Sequence, residues 1–326
     1  MKLGSLKNRT NLLYGAFTAV AFFLALRWTF PSEAVKERLI YEAGASGWHV
    51  DVQDVNPSGF LGVRLEGLTL TDASGLKIPV EDFEGSLRVL PLLVGKRSVT
   101  FHTALYGGTV EGRADLSGAN RNLSVRVDGV NLAPILPLRK ASGVEFVGVV
   151  TGAADLRYPG ANPEKASGTI EVAIDKGGVT GGKVPVSGFT EGFTLFPISL
   201  GTIRAAGNAR DGVLEVSRLQ ATGGDVEFEG EGVKVMLQPR LAYSPLGGQA
   251  RVRFLPALWQ KPAAASMKVP VEAMLMPART PNGSYQYQLF GSVALPRAAP
   301  SPSGNANPSQ IRGAPPPPQL PENPMP

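Results

Sequence analysis

Cysteine is absent from the 326 residues, so disulfide staples, thiolate zinc sites and cysteine nucleophiles are all excluded. Histidine is nearly absent, since His49 and His102 are the only two and lie far apart. Charged residues are only 18% of the chain, and the net charge of +5 comes from basic residues scattered among acidic ones. Without a clustered basic patch, nucleic-acid binding is not expected. Long helical patterns are also scarce. Glycine (39) and proline (28) are plentiful instead, which predicts many short strands joined by tight turns and hence a mainly β protein. Hydrophobic residues at 43% support a folded body. The length admits one or two cores, at roughly 100 to 200 residues per domain.

The N-terminus carries the one long apolar run. Leu12 to Leu26 hold no charge, and Trp28 and Phe30 extend the run past Arg27. Residues 12–30 as a helix would span about 28 Å, close to the hydrocarbon thickness of a bilayer. A cleaved signal peptide has a similar basic start, but it needs small residues after the apolar run, where Arg27, Trp28, Thr29, Phe30 and Pro31 stand. An uncleaved transmembrane helix is expected. Lys2, Lys7 and Arg9 place residues 1–11 in the cytoplasm and the rest of the chain beyond the membrane. Ser32 is a helix N-cap candidate, and Val35, Leu39 and Ile40 give a short linking helix over 32–44 a narrow apolar stripe.

Residues 45–295 read as a β-rich domain of repeated antiparallel hairpins. A two-residue loop at Gly107 and Gly108 pairs Leu105 with Val110, Phe101 with Ala114 and Val99 with Leu116, all on one face. Thr100, His102, Glu111, Arg113 and Asp115 then share the polar face. A second loop at Gly223 and Gly224 pairs Ala221 with Val226 and Leu219 with Phe228, with Arg218 facing Glu229. The expected apolar β face is therefore Val99, Phe101, Leu105, Val110, Leu116, Leu219, Val226 and Phe228. Short echoes, such as Gly112 to Leu116 against Gly152 to Leu156, support a repeated unit. Further strands are expected at Trp48 to Val52, at Val63 to Leu70 with a bulge at Gly67, at Gly168 to Ile174 and at Tyr285 to Leu295. Asn282-Gly283 is a turn signal, and Phe254 to Lys261 hints at a second helix. About a third of residues 296–326 are proline, so a disordered, extended tail is expected there.

No catalytic constellation is legible. The glycine pairs lead into strands, whereas phosphate loops lead into helices. No serine sits in a nucleophile elbow and no zinc-protease pattern occurs. Asp225, Glu227, Glu229 and Glu231 alternate on one strand and could hold a hard cation, but a solvated face is the plainer reading. His49 beside Asp51 lacks a positioned nucleophile. Neither a metal, a cofactor nor an enzymatic activity is expected.

Taken in order, several stretches resemble a known family. They are the span ending Thr29-Phe30-Pro31, Ser46 to Val50, Gly67 to Leu70, the run Leu90-Pro91-Leu92-Leu93-Val94-Gly95, and the hairpin Ala104 to Gly112. Together they are similar to the N component (GspN) of the bacterial type II secretion system in its delta-proteobacterial form. The broader AsmA-like group of membrane-anchored periplasmic β proteins is similar in architecture. The likeness runs from the anchor to about Leu295. It implies an inner-membrane protein with a periplasmic β domain, contacting other type II secretion components in a non-enzymatic scaffold role. Its AsmA-like alternative is lipid binding or lipid transport in support of outer-membrane assembly.

Overall fold

The computed structural model describes residues 14, 17, 29–45, 49–59, 61–71, 77–88, 91–92, 95–115, 117, 119–136, 139, 142–160, 162–186, 189–239, 241–293 and 295–301. Apart from Tyr14, Phe17, Thr29 and Phe30, the expected membrane span lies outside these residues. So do Trp48, Leu116 and the tail from 302 onward. Among the described residues, no helix is long and apolar enough to cross a membrane.

Strands dominate, as the glycine and turn pattern predicts. They are β1 (His49–Asp51), β2 (Asp54–Ser58), β3 (Gly62–Thr71), β4 (Lys77–Leu87), β5 (Ser98–Leu105), β6 (Gly108–Asp115), β7 (Asn120–Asn131) and β8 (Val144–Pro159). The series continues with β9 (Ser167–Val186), β10 (Phe189–Thr194), β11 (Ile198–Arg210), β12 (Val213–Thr222), β13 (Val226–Met236), β14 (Leu246–Phe254), β15 (Tyr285–Gly291) and β16 (Pro296–Pro300). All pairings are antiparallel, and nearly every strand lies between its predecessor and its successor in the chain. Two exceptions exist: β1 and β2 share the same side of β3, and β10 pairs off the main path with β9. Among the described residues β16 pairs only with β15, so the sheet does not close on itself.

Helices cover the two ends of this sheet. α1 (Ser32–Ala45) begins directly after Pro31 and carries Val35, Leu39 and Ala43 at intervals of four, which puts them on one face. That face packs with Phe30 against Val50, Val52, Val55, Leu65, Leu68 and Val80 of β1 to β4. At the other end, residues 255–278 form a strap of short helices. It contains a 3₁₀ turn at Pro256–Gln260, α2 (Pro262–Ala265), α3 (Lys268–Leu275) and a 3₁₀ turn at Met276–Ala278. The strap is longer than the helix expected at 254–261. Leu258, Ala264 and Val271 bury from it against Phe196 and Val226, with Val252, Phe254 and Ile198 alongside.

Both predicted hairpins are present, each with its register moved by two residues. The first loop is Tyr106-Gly107, so Leu105 meets Gly108, Thr103 meets Val110, Phe101 meets Gly112 and Val99 meets Ala114. Both loop residues are left-handed, at φ 49° and 76°, as a two-residue hairpin of this kind requires. Gly108 belongs to β6, and its need for glycine comes from elsewhere. A Cβ there would stand 2.4 Å from the backbone of Gly129 and Val130 in β7. In the second hairpin Ala221 meets Phe228, in place of Val226, and Gln220, in place of Arg218, stands opposite Glu229. Gly223 is left-handed at φ 80°, while Gly224 sits where a Cβ would strike the backbone of Ser199 to Gly201. A shift of two residues preserves which side chains share a face, because the pleat repeats every two. The grouping therefore survives the change of partners.

Smaller corrections follow the same physics. At Gly67 (φ 62°) the burial phase changes, with Leu65 and Leu68 both buried, yet no residue is inserted, since Glu66 meets Asp82 and Leu68 meets Val80. The strand expected through Leu295 stops at Gly291, where the chain reverses. Residues 296–300, expected to start the tail, instead form β16 along β15. An extended proline-rich segment needs no helix-forming N–H groups, and an edge position tolerates its missing donors.

Candidate functional site

Following the registers across the sheet assembles an apolar face in rows. One row runs Leu65, Phe83, Thr103, Val110, Val127, Gly152, Val172, Ala205, Leu219. The next holds Gly85, Phe101, Gly112, Val125, Ala154, Ile170 and Gly207, and a third Leu87, Val99, Ala114, Leu123, Leu156, Gly168, Ala209, Leu214, Val235 and Leu246. Towards the C-terminal end Val150, Ile174, Ile203, Ala221, Phe228, Val252 and Tyr285 make a fourth. The stripe from β4 to β14 crosses ten strands, roughly 43 Å at about 4.8 Å per strand. Seven of the eight residues expected on the apolar face lie on it, namely Val99, Phe101, Leu105, Val110, Leu219, Val226 and Phe228. Leu116 lies outside the described residues.

Glycines inside these rows let large side chains lie flat. The ring of Phe101 rests over Gly112 so closely that a Cβ there would fall 2.2 Å from it. Phe83 leans towards Gly85, and the two rings stack with centroids 6.4 Å apart. Leu219 covers Gly230 in the same manner. Covering a strand glycine with a neighbouring ring restores the contact area that the missing side chain gives up.

Among the described residues the face is covered only in places. α1 packs over β1 to β4, the strap covers the β11, β13 and β14 region, and Ala166, Ala209 and Leu237 form a small cluster along one rim. Between them Val110, Leu123, Val125, Val127, Ile170 and Val172 belong to none of the three buried clusters and are only partly buried. Among the described residues no element packs over this middle stretch. It is an apolar trough floored by one sheet.

The opposite face is polar and internally paired. Arg64, Glu84, His102, Glu111 and Arg126 stand in one cross-strand row. Arg64 reaches Glu84 at 3.5 Å, and His102 Nδ1 lies 3.6 Å from Glu111, directly opposite it. His102 thus has a structural partner of the kind expected from its strand position. The acids proposed for a cation are divided. Glu227 pairs with Arg253 at 3.4 Å, and Glu229 and Glu231 reach Arg251 at 3.6 and 2.9 Å. Two arginines across the strand pair thus offset two of the three carboxylate charges. Asp225 has a different role. It is buried, accepts the Ser199 N–H at 2.7 Å and pairs with Lys261 Nζ at 2.5 Å, which fastens the strap to the sheet. Among the described residues no group of three or more potential ligands is placed to hold a metal ion.

Burial raises the phenol pKa of Tyr106 in the first turn and of Tyr287 beside Ala250. Asp115 is held below the usual carboxylate range, first by the Ser98 hydroxyl and then by Arg113 and Asn122. These shifts are scattered and converge on no cleft.

Fold and site together define an open antiparallel meander with one apolar face, capped by helices at both ends. Comparison with protein-family models, with curated proteins and with solved structures gives no match to this chain.

Proposed function

We propose that this chain is a non-enzymatic binding protein whose open sheet shields hydrocarbon chains of lipid from water. The middle of the apolar face, over which no described element packs, carries this reading. A sheet that needed its apolar face only for stability would cover it, because monomers rarely leave contiguous apolar patches larger than a few hundred Å² to water. The stretch from β6 to β9 that no described element covers spans four strands, roughly 14 Å at about 4.8 Å per strand, about half of the roughly 30 Å hydrocarbon core of a bilayer. One acyl chain can therefore lie across it. In this reading residues 12–30 anchor the chain in the inner membrane and the sheet stands in the periplasm.

The likeness to the type II secretion N component, carried by the stretches from Thr29-Phe30-Pro31 to the hairpin Ala104 to Gly112, favours a secretion setting as the second reading. There the chain serves protein export as an accessory part, and the paired polar face is the surface offered to its partners. The prolines that β2 and β16 carry on the sheet's edges disfavour pairing of a partner there.

The full chain in detergent, exposed to a photoreactive fatty acid, should label Val125, Val127 and Ile170 in preference to residues of the polar face. Val125→Asp with Val127→Asp should cut labelling at least tenfold while leaving the circular dichroism unchanged. Equal labelling of the two faces would overturn the lipid reading. Deleting the gene separates the settings: normal export of secreted enzymes with leaky outer membranes excludes the secretion role, and the reverse result supports it.

A further inference from the structure

The rim of the sheet at the β4–β5 and β6–β7 turns holds a cavity of about 620 Å³ that the trough does not use. Arg88, Lys96, Arg97 and Arg113 line it. Asp115 is the only carboxylate among its lining residues, and both nitrogens Nε and Nη2 of Arg113 donate to it at 3.2 Å. Four cations against one carboxylate leave a net charge of +3. Arg88, Lys96 and Arg97 have no carboxylate within ion-pairing distance among the described residues, whereas the arginines Arg64, Arg251 and Arg253 on the polar face do. Three unpaired cations and a fourth gathered round one cavity, with a single carboxylate among them, mark a site for an external anion.

The cavity is held open by the backbone. Arg88 N–H donates to Ser98 C=O at 2.9 Å and Lys96 N–H to Pro91 C=O at 2.8 Å, which closes the β4–β5 turn on itself. Gly95 reverses the chain at φ 73°. The Ser117 hydroxyl accepts from the Arg97 N–H and donates to its carbonyl at 3.3 Å, tying this turn to the one before β7. Pro91 and Gly95 thus belong to the turn that presents these cations.

We infer that this pocket binds an anionic phosphate group. Guanidinium forks match phosphate oxygens in bidentate geometry, and an ammonium beside them adds a point charge. The size lies within the range of roughly 300 to 1,000 Å³ typical of small-molecule sites. Two sources share the chemistry, a free phosphate and the headgroup of an anionic phospholipid. The site does not depend on the trough binding hydrocarbon.

The test titrates the full chain in detergent with inorganic phosphate, and separately with vesicles of phosphatidylglycerol or phosphatidylcholine. Saturable phosphate binding that weakens about tenfold in the triple variant Arg88→Gln, Lys96→Gln, Arg97→Gln, and with added salt, is the expected result. The control Arg204→Gln with Arg218→Gln, which removes exposed arginines elsewhere, should leave binding unchanged. Preference for phosphatidylglycerol vesicles, lost in the triple variant, assigns the site to a headgroup. Phosphate binding with no lipid preference assigns it to a free anion. Unaltered binding in the triple variant, or the same loss in the control, overturns the site. The photoreactive fatty acid serves as the separate readout of the trough, whose labelling the triple variant should leave intact.

Discussion

At the scale of single residues, glycine does three separate jobs that look alike in the sequence. Gly107 supplies a left-handed turn in open space, Gly108 admits the backbone of β7, and Gly112 admits a phenyl ring. Gly107→Ala should cost about 1 kcal/mol of unfolding free energy for its positive φ. Gly108→Ala should cost about 3 kcal/mol or more, because a strand backbone cannot step aside as a side chain can. Chemical denaturation of the two variants checks the order, and equal costs would refute it. The sequence shows where the chain reverses but not which glycine of a doublet sits in the loop. That choice depends on a third strand, which pair-by-pair reading does not include. Asp115 adds a pH effect with a definite sign. Its folded pKa is lowered, so its contribution is present above the ordinary carboxylate value near 3.9 and fades as pH falls through the lower folded value. Asp115→Asn should flatten the acid limb of a stability profile measured below about pH 4.

At the scale of elements, the strap from 255 to 278 is the piece least visible beforehand. Its apolar residues are interrupted by Pro256, Pro262 and Pro277, which break the helical period into short turns, while Pro270 sits in the first turn of α3, where a missing N–H is tolerated. Only the first of these turns is readable as a helix. The strap depends on two anchors, Leu258, which is fully buried, and the Lys261 to Asp225 pair. Asp225→Ala leaves the Lys261 ammonium and the Ser199 N–H without their shared acceptor. It should destabilise by about 1 to 3 kcal/mol, because the Ser199 N–H loses its buried acceptor while Lys261, 44% exposed, returns to water. Hydrogen exchange should then quicken first in residues 255–278, before β5 to β8 respond. Uniform acceleration through the whole sheet would show that the strap is not a separate unit. By contrast α1 was legible, because Val35 and Leu39 repeat with the period of one uninterrupted helix. Its structure adds Ala43 to the stripe.

At the scale of the whole molecule, the grouping of side chains into two faces was readable, while the openness of the sheet was not. Period-two alternation fixes which residues share a face and is unaffected by register slips of two. Whether something lies over that face is a question about distant elements, on which alternation is silent. The edges make one further prediction. β16 begins and ends with proline, and β2 contains Pro57. Pro296→Val with Pro300→Val should restore edge donors and convert a monodisperse preparation into larger species on sedimentation. Unchanged sedimentation would mean that the prolines do not guard the edge.

Nearly every strand pairs with the one just made and the one to come, so the ladder of strand pairs does not wait for a distant part of the chain. The sheet can be laid down progressively as the polypeptide emerges, like planks added to one side of a deck. Its span is then an adjustable quantity. A hairpin inserted or removed between β6 and β9 would lengthen or shorten the platform by about two strand widths, roughly 10 Å, and leave both helical ends intact.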